Sequence, residues 1–414
     1  MCHRKGWSCN PPLSWEPWGT LVIQPTLMAL LGTPIIAMRL ADIRKYRLAR
    51  WCASFVAAWF SLRLLQSKTS ASFTETVAIK SDSPPGVRPK TVKYAGRTLD
   101  LSLFAATRAL DVIVGELWSR HRARRRAAGT WTEVESAISR LVDPAVFALS
   151  SGLVMWTWIY NSDRLPYTYD KWIASAAAVD SRLIQVLRRC RRGEMRYGEN
   201  TGQAPMLQGM CADYKWPLRW GDPAKTVPFP CEMVHMGCGP SCELHAISRF
   251  GRSFLWAMRT YLPLNLLLIA RSPNRKGVVR ALLSAARSSA FLGAFIALYY
   301  YGVCLGRTRL GPYILGKEIA CRQKLDSGVC VGSGCLLCGW SILIEHTGRR
   351  KDMALFVAPR ALATLLPRRY SLDKQWRETF LFAFSTAVVF TCIQENKQRV
   401  RGVFGNVLAT VLNA

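Results

Sequence analysis

Three cysteines and two histidines fall within fifteen residues, CEMVHMGCGPSCELH at 231–245. Three residues separate Cys231 from His235 and two separate Cys242 from His245, so the segment offers two thiol–imidazole pairs, the donors zinc favours in tetrahedral sites. Gly237, Gly239 and Pro240 lie between the pairs and supply a turn that would fold one onto the other. Cys238 is then a spare. Four protein ligands close a tetrahedral shell, so the candidate cofactor is a structural zinc rather than a catalytic one. The spacing is not that of a standard finger, and a plain thiol-rich linker is the competing reading. A disulfide is disfavoured in a reducing compartment, and three local cysteines would leave one unpaired.

Soluble catalytic signatures are missing elsewhere. The chain has no G-x-x-x-x-G-K-[ST] loop, no G-x-S-x-G elbow, no H-E-x-x-H helix and no dinucleotide glycine fingerprint. Of its five histidines, His346 follows Glu345 at the end of an apolar run, where a solvated helix end is the plainer reading than a proton-handling pair. CLLC at 335–338 has redox spacing but sits in apolar surroundings, which disfavour a thiolate. The chain reads as a non-enzymatic protein.

The elements that would carry the Cys/His segment are apolar and long. Runs at 17–38, 144–162, 288–306 and 327–344 contain no charged residue and approach or exceed the roughly 20 residues that a helix needs to cross hydrocarbon. Stretches at 51–62, 253–270 and 379–394 are further candidate spans. The first run carries Pro25 and Pro34 and no small-residue cleavage site, so it reads as a span rather than a leader. The fold class is all-α, a multi-pass helical membrane protein.

A net charge of +30 raises nucleic acid as a partner, with HRARRRAAG at 121–129 and RRCRRGEMR at 188–196 as the densest clusters. Both lie in connections between apolar runs, where Lys and Arg meet anionic headgroups, and no nucleic-acid fold signature accompanies them. The expected partner is a lipid bilayer with anionic headgroups, and nucleic acid is not expected. The connections at 39–50, 120–126, 188–196, 307–324, 345–351 and 395–401 are all basic, so the positive-inside rule gives no orientation.

Self-comparison reveals an internal duplication. GRTLDLSLFAATRAL at 96–110 and GRRKDMALFVAPRAL at 348–362 coincide at nine of fifteen positions. FALSS at 147–151 and FAFST at 382–386 follow in the same order, and ARWCASFVAAW from Ala49 and ARSSAFLGAFI from Ala286 precede them. The expected organisation is a tail at 1–19, a first membrane repeat at 20–190, a linker at 191–252 and a second repeat at 253–414. The polar insert at 66–95 cannot span a membrane. In the shared motif Asp100 and Asp352 fall in the first turn of a helix, where its dipole favours an anion. Arg108 and Arg360 lie in apolar stretches as intramembrane or interfacial polar residues, either snorkelling or making an interhelical contact, with Asp111 in reach of Arg108. Ser289, Gly293 and Ala297, then Gly328, Gly332 and Gly339, form small faces for close helix packing.

With these motifs, the FALSSGLVMWTWI span and PCEMVHMGCGPSCELHAISRF leading into RSFLWAMRTYLPLNLLL, residues 95–412 resemble fungal members of the transmembrane protein 135 family. The second half is also similar to peroxisomal membrane protein 4 and, more remotely, to membrane subunits of the mitochondrial inner-membrane translocase. The resemblance implies a peroxisomal or mitochondrial membrane protein acting in lipid handling or organelle dynamics, with a lipid or sterol as a candidate ligand and an oligomer as a candidate assembly. It carries no catalytic residues over. A transporter or translocase-like conduit and a zinc-clasped membrane scaffold are the alternatives.

Overall fold

The computed structural model describes residues 46–68, 73–82, 85–269, 274–396 and 399–413. In chain order these form α1 (Arg47–Ser67), β1 (Thr74–Asp82), β2 (Pro85–Lys93), α2 (Leu99–Ala127), α3 (Glu133–Tyr160), α4 (Tyr167–Ala177), α5 (Ser181–Arg192) and α6 (Ala204–Asp213). There follow α7 (Cys231–His235), α8 (Cys242–Ile269), α9 (Arg275–Cys304), α10 (Leu310–Leu315), α11 (Ile319–Lys324), α12 (Cys330–Cys338), α13 (Thr347–Leu365), α14 (Gln375–Glu395) and α15 (Gly402–Asn413).

Five helices are long and apolar enough to cross a membrane among the described residues: Arg47–Ser67, Glu133–Tyr160, Arg275–Leu315, Ile319–Ile344 and Leu372–Glu395. They contain the expected runs at 51–62, 144–162 (to Tyr160), 288–306, 327–344 and 379–394. The run at 17–38 lies outside the described residues. The stretch at 253–270 is helical within α8, but α8 carries Arg252, Arg259 and Asn265 and is not among the five. The fold is helical as expected, and among the described residues the polar insert holds its one small sheet. Within it β1 and β2 pair antiparallel from Thr74 opposite Lys93 to Asp82 opposite Pro85. Thr74, Thr76, Val77 and Ile79 are β-branched, which suits a strand and not a helix.

The chain divides into two compact units, one of residues 1–113, 369–400 and 404–414, the other of 114–368 and 401–403. In the first, α1 lies along α14, burying Ala58, Leu62, Leu65, Phe382 and Ala383. The first half of α2 meets α14 and α15 through Ala109, Val112, Val389, Phe390, Ile393 and Leu408. Arg108 is buried here, its guanidinium 5.2 Å from the ring centroids of both Phe104 and Phe404. Thr98 and Tyr370 donate to the buried Glu378 carboxylate, and Thr379 donates to Gln66.

The second unit is built on the α8–α9 pair and on α3, which touches both α12 and α13. A capping box starts α3: the Thr132 hydroxyl accepts from the Glu135 N–H, and the Thr132 N–H donates to the Glu135 carboxylate at 2.8 Å. Small residues set the crossings. A Cβ on Gly339 would lie 2.3 Å from Ala148 Cα, and one on Gly302 would lie 2.8 Å from Gly334 Cα. Ser289 is fully buried, and a Cβ on Gly293 would approach the Phe250 carbonyl to 3.0 Å. A Cβ on Gly328 would lie 3.0 Å from the Arg191 guanidinium, one on Gly332 would make only an ordinary contact, and Ala297 is half-buried. Gly152, against the Cys335 carbonyl, escapes a sequence reading because it is the sole glycine on α3, and Gly302 because it falls outside the four-residue spacing of Ser289, Gly293 and Ala297.

The duplicated motif does not start its two helices alike. Gly96, at φ 112°, precedes α2 and leaves Asp100 in the first turn, but Gly348 lies inside α13. Asp352 therefore falls in the second turn, not the first, and its carboxylate accepts from the Val403 N–H at 3.1 Å.

Gly339→Ala is expected to lower the thermal midpoint of the detergent-solubilised chain, since overpacking costs about 1–3 kcal/mol and the obstacle is backbone. Gly115→Ala, mid-helix with nothing within 4 Å of the added carbon, should be neutral or raise it. Equal effects of the two would contradict the close crossing.

Candidate metal centre

Pro230 opens α7, and Cys231 and His235, four residues apart, fall on one face of its single turn and a half. Met236, Gly237 and Gly239 then take positive φ of 49°, 82° and 86° and turn the chain back, so that Cys242 enters as the first residue of α8. The Ser241 hydroxyl accepts from the Leu244 N–H and steadies that start. The fourth donor comes from a distant segment: Cys304 ends α9. One ligand atom from each of Cys231, His235, Cys242 and Cys304 lies within 4.8 Å of the other three, so the cluster could hold a metal ion.

The separations have the size of a coordination polyhedron. Cys231 Sγ lies 3.9 Å from Cys242 Sγ and 3.7 Å from Cys304 Sγ, and His235 Nε2 lies 3.6 and 3.5 Å from the sulfurs of Cys231 and Cys304. A tetrahedron with usual zinc–sulfur and zinc–nitrogen bonds has S–S edges of about 3.8 Å and S–N edges of about 3.6 Å. Behind the ligand ring, Nδ1–H of His235 donates to the Gly239 carbonyl at 2.7 Å, which leaves Nε2 as a lone pair facing the thiols. Hydrogen bonding from Cys304, against the opposing effect of burial, brings the Cys231 thiol down to about 4. Burial works against a protonated His235, but its bonds to Cys231 and Gly239 raise its pKa.

His245 is not among the four. It is fully buried, its ring stacked on His235 at 4.7 Å between centroids and edge-on to Tyr300 at 5.1 Å. Neither of its nitrogens has a hydrogen-bond partner among the described residues, and burial holds its pKa at about 3. The sequence reading paired it with Cys242 because the two are neighbours in the chain. Tertiary packing of α8 on α9 instead presents Cys304, whose only sequence signal is a cysteine at the end of an apolar run. Cys238 stays outside the cluster, near Ser248 at 3.7 Å and Arg252 at 3.8 Å.

Three residues beyond Cys304, Arg307, which the sequence places in a basic connection, forms a buried ion pair with Asp326. Arg307 and Asp326 have side chains 3% and 1% exposed, with Nε to Oδ1 at 2.7 Å and Nη2 to Oδ2 at 3.1 Å. Each sits in a π-helical turn, Leu305–Arg309 and Leu325–Val329. Arg307 also donates to the Phe229 carbonyl at 2.7 Å and lies 4.1 Å from the Phe229 ring centroid, while the Tyr197 hydroxyl donates to Asp326. Arg307 thus ties the segment entering α7, which carries Cys231, to the end of α9, which carries Cys304.

The remaining candidate residues lie apart from this centre. Arg360 packs its guanidinium on the rings of Phe356 at 3.8 Å and Tyr169 at 5.6 Å and donates to the Phe356 carbonyl. Glu345 is not at a wet helix end: it is 2% exposed and accepts from Ser288, while His346 lies against Arg287. Cys335 and Cys338 are buried in the helix packing. No family model, curated protein or solved structure matches the chain.

Asp326→Ala leaves a buried guanidinium uncompensated and is expected to cost about 3–5 kcal/mol in chemical unfolding of the solubilised protein. The double change Arg307→Met with Asp326→Leu should cost clearly less. A double variant as unstable as the sum of the two single ones would rule out the coupling.

Proposed function

We propose that the chain is a non-enzymatic multi-pass membrane scaffold whose second unit is clasped by one structural zinc ion held by Cys231, His235, Cys242 and Cys304. The observation that carries this reading is four donor atoms from three separate chain segments all within 4.8 Å of one another, with four of their six S–S and S–N separations at 3.5–3.9 Å. Three thiolates and one imidazole suit zinc, and four protein ligands leave no open position for a substrate or an activated water. Five span-length apolar helices support the membrane setting. The resemblance to the transmembrane protein 135 family adds the peroxisomal or mitochondrial membrane as the location and lipid handling or organelle dynamics as the work, with two related helical repeats as the frame.

Elemental analysis of purified protein is expected to give one zinc per chain. Cys304→Ser should abolish it and lower the thermal midpoint by several degrees, at about 2–4 °C per kcal/mol for a unit of this size. His245→Ala should retain the metal. Metal-free protein that melts like the holo form sinks the clasp. Release of the chain from membranes by alkaline carbonate sinks the membrane reading.

A further inference from the structure

On the arm formed by the end of α2 and the start of α3, residues 114–143, each helix leaves an apolar stripe exposed among the described residues. On α2, Val114 and Leu117 are exposed and continue the Leu110 and Ile113 stripe of the same helix, at the 3–4 residue spacing of one helix face. On α3, Val134, Ile138, Leu141, Val142, Val146 and Leu149 are exposed at the same spacing. That second stripe lies on a helix long and apolar enough to cross a membrane, Glu133–Tyr160.

Toward the tip the chemistry changes in a fixed order. Past the apolar stripes come Trp118 and Trp131, edge to face with centroids 6.2 Å apart, and Trp118 Nε1–H donates to the Ser139 hydroxyl at 3.1 Å. Past them come Arg120, Arg122, Arg124, Arg125 and Arg126. Residues 117–132 contain these five arginines and no acid. Arg120 is paired with Glu116, Arg125 with Glu135, and Arg126 lies 5.4 Å from the centroid of Trp131. Arg122 and Arg124 are exposed and form no ion pair with a described residue.

We propose that this tip binds the headgroups of anionic phospholipids, with the apolar stripes in the acyl region and the tryptophans at the boundary. The inference rests on the membrane reading of the chain and deepens it by naming the lipid class and the residues. Apolar, then aromatic, then cationic is the order in which a bilayer changes from hydrocarbon to headgroup. Phosphate and carboxylate headgroups supply the partners that Arg122 and Arg124 lack among the described residues, at about 1 kcal/mol for each arginine near the surface. A nucleic acid would answer the arginines but leave the apolar stripes bare, and a second copy would bring like charges together. Because the anionic leaflet of a cellular membrane faces the cytosol, the proposal also orients the arm, placing its tip on the cytosolic side.

The test uses the full chain in a neutral detergent, titrated with dioctanoyl phosphatidylserine or dioctanoyl phosphatidylcholine, with retained lipid counted by native mass spectrometry. Wild type is expected to prefer the acidic lipid, and Arg122→Gln with Arg124→Gln to weaken that binding about fivefold per arginine, leaving phosphatidylcholine unchanged. Arg275→Gln with Arg280→Gln, exposed elsewhere, should behave as wild type. If the double variant at the tip misfolds, Arg124→Gln alone carries the test, with an expected fivefold change. Undiminished acidic-lipid binding in the tip variants overturns the proposal, as does wild-type preference for a single-stranded oligonucleotide over acidic lipid at equal salt. Lipid indifference in a chain that resists carbonate extraction overturns this inference alone.

Discussion

An arginine and an aspartate taken out of water are each tolerable only because of the other. Arg307 and Asp326 meet through two hydrogen bonds in surroundings that admit almost no solvent, and separating them would strand two charges in a low dielectric. What is attached to either is therefore held. Tyr197 and the start of α12 are attached to Asp326, and Phe229 and the end of α9 to Arg307. Cys231 lies two residues past Phe229 and Cys304 three residues before Arg307, so the bond from Arg307 to the Phe229 carbonyl joins the two segments that carry those sulfurs. The π-turns that carry both charges are part of this geometry, since an extra residue per turn re-aims a side chain relative to the helix before it.

The excess of positive charge has an internal use as well as an external one. Arg188 donates to the carbonyls of Trp158 and Ile159 at the C-terminal end of α3, and Arg249 to those of Ala177 and Ala178 at the end of α4. Helix C-termini leave carbonyls without intrahelical donors and carry the negative end of the dipole, so a guanidinium answers both needs. Arg249 also lies 4.5 Å from the Tyr300 ring centroid, beside the stacked histidines. Some of what reads as surface charge is thus mortar between helices. At the arm tip, by contrast, Arg120 and Arg125 bond to the carboxylates of Glu116 and Glu135.

The helices and their apolar runs were legible because periodicity and length are local properties, and the five span-length helices contain runs visible in the sequence. The glycines at 293, 328 and 339 were legible as small faces. Three of the four cluster residues were legible because Cys231, His235 and Cys242 lie within twelve residues. Cys304 was not, since a partner sixty-two residues beyond Cys242 is chosen by how α8 packs on α9. Arg307 and Asp326 were hidden for the opposite reason. In a list of charges they look like any basic loop and any loop acid, and only burial distinguishes them. Strand pairing at 74–93 was masked by the Ser, Pro and Lys content around it.

The order of the four ligands along the chain has a consequence for synthesis. Cys231, His235 and Cys242 emerge together, but the fourth ligand follows only after α8 and nearly all of α9 have been made. A nascent chain can gather three donors early and cannot close the shell until the helical hairpin has folded back on itself. A filled site would then mark a completed hairpin, and it would close a loop of the chain in the manner of a disulfide while remaining open to reversal by a chelator.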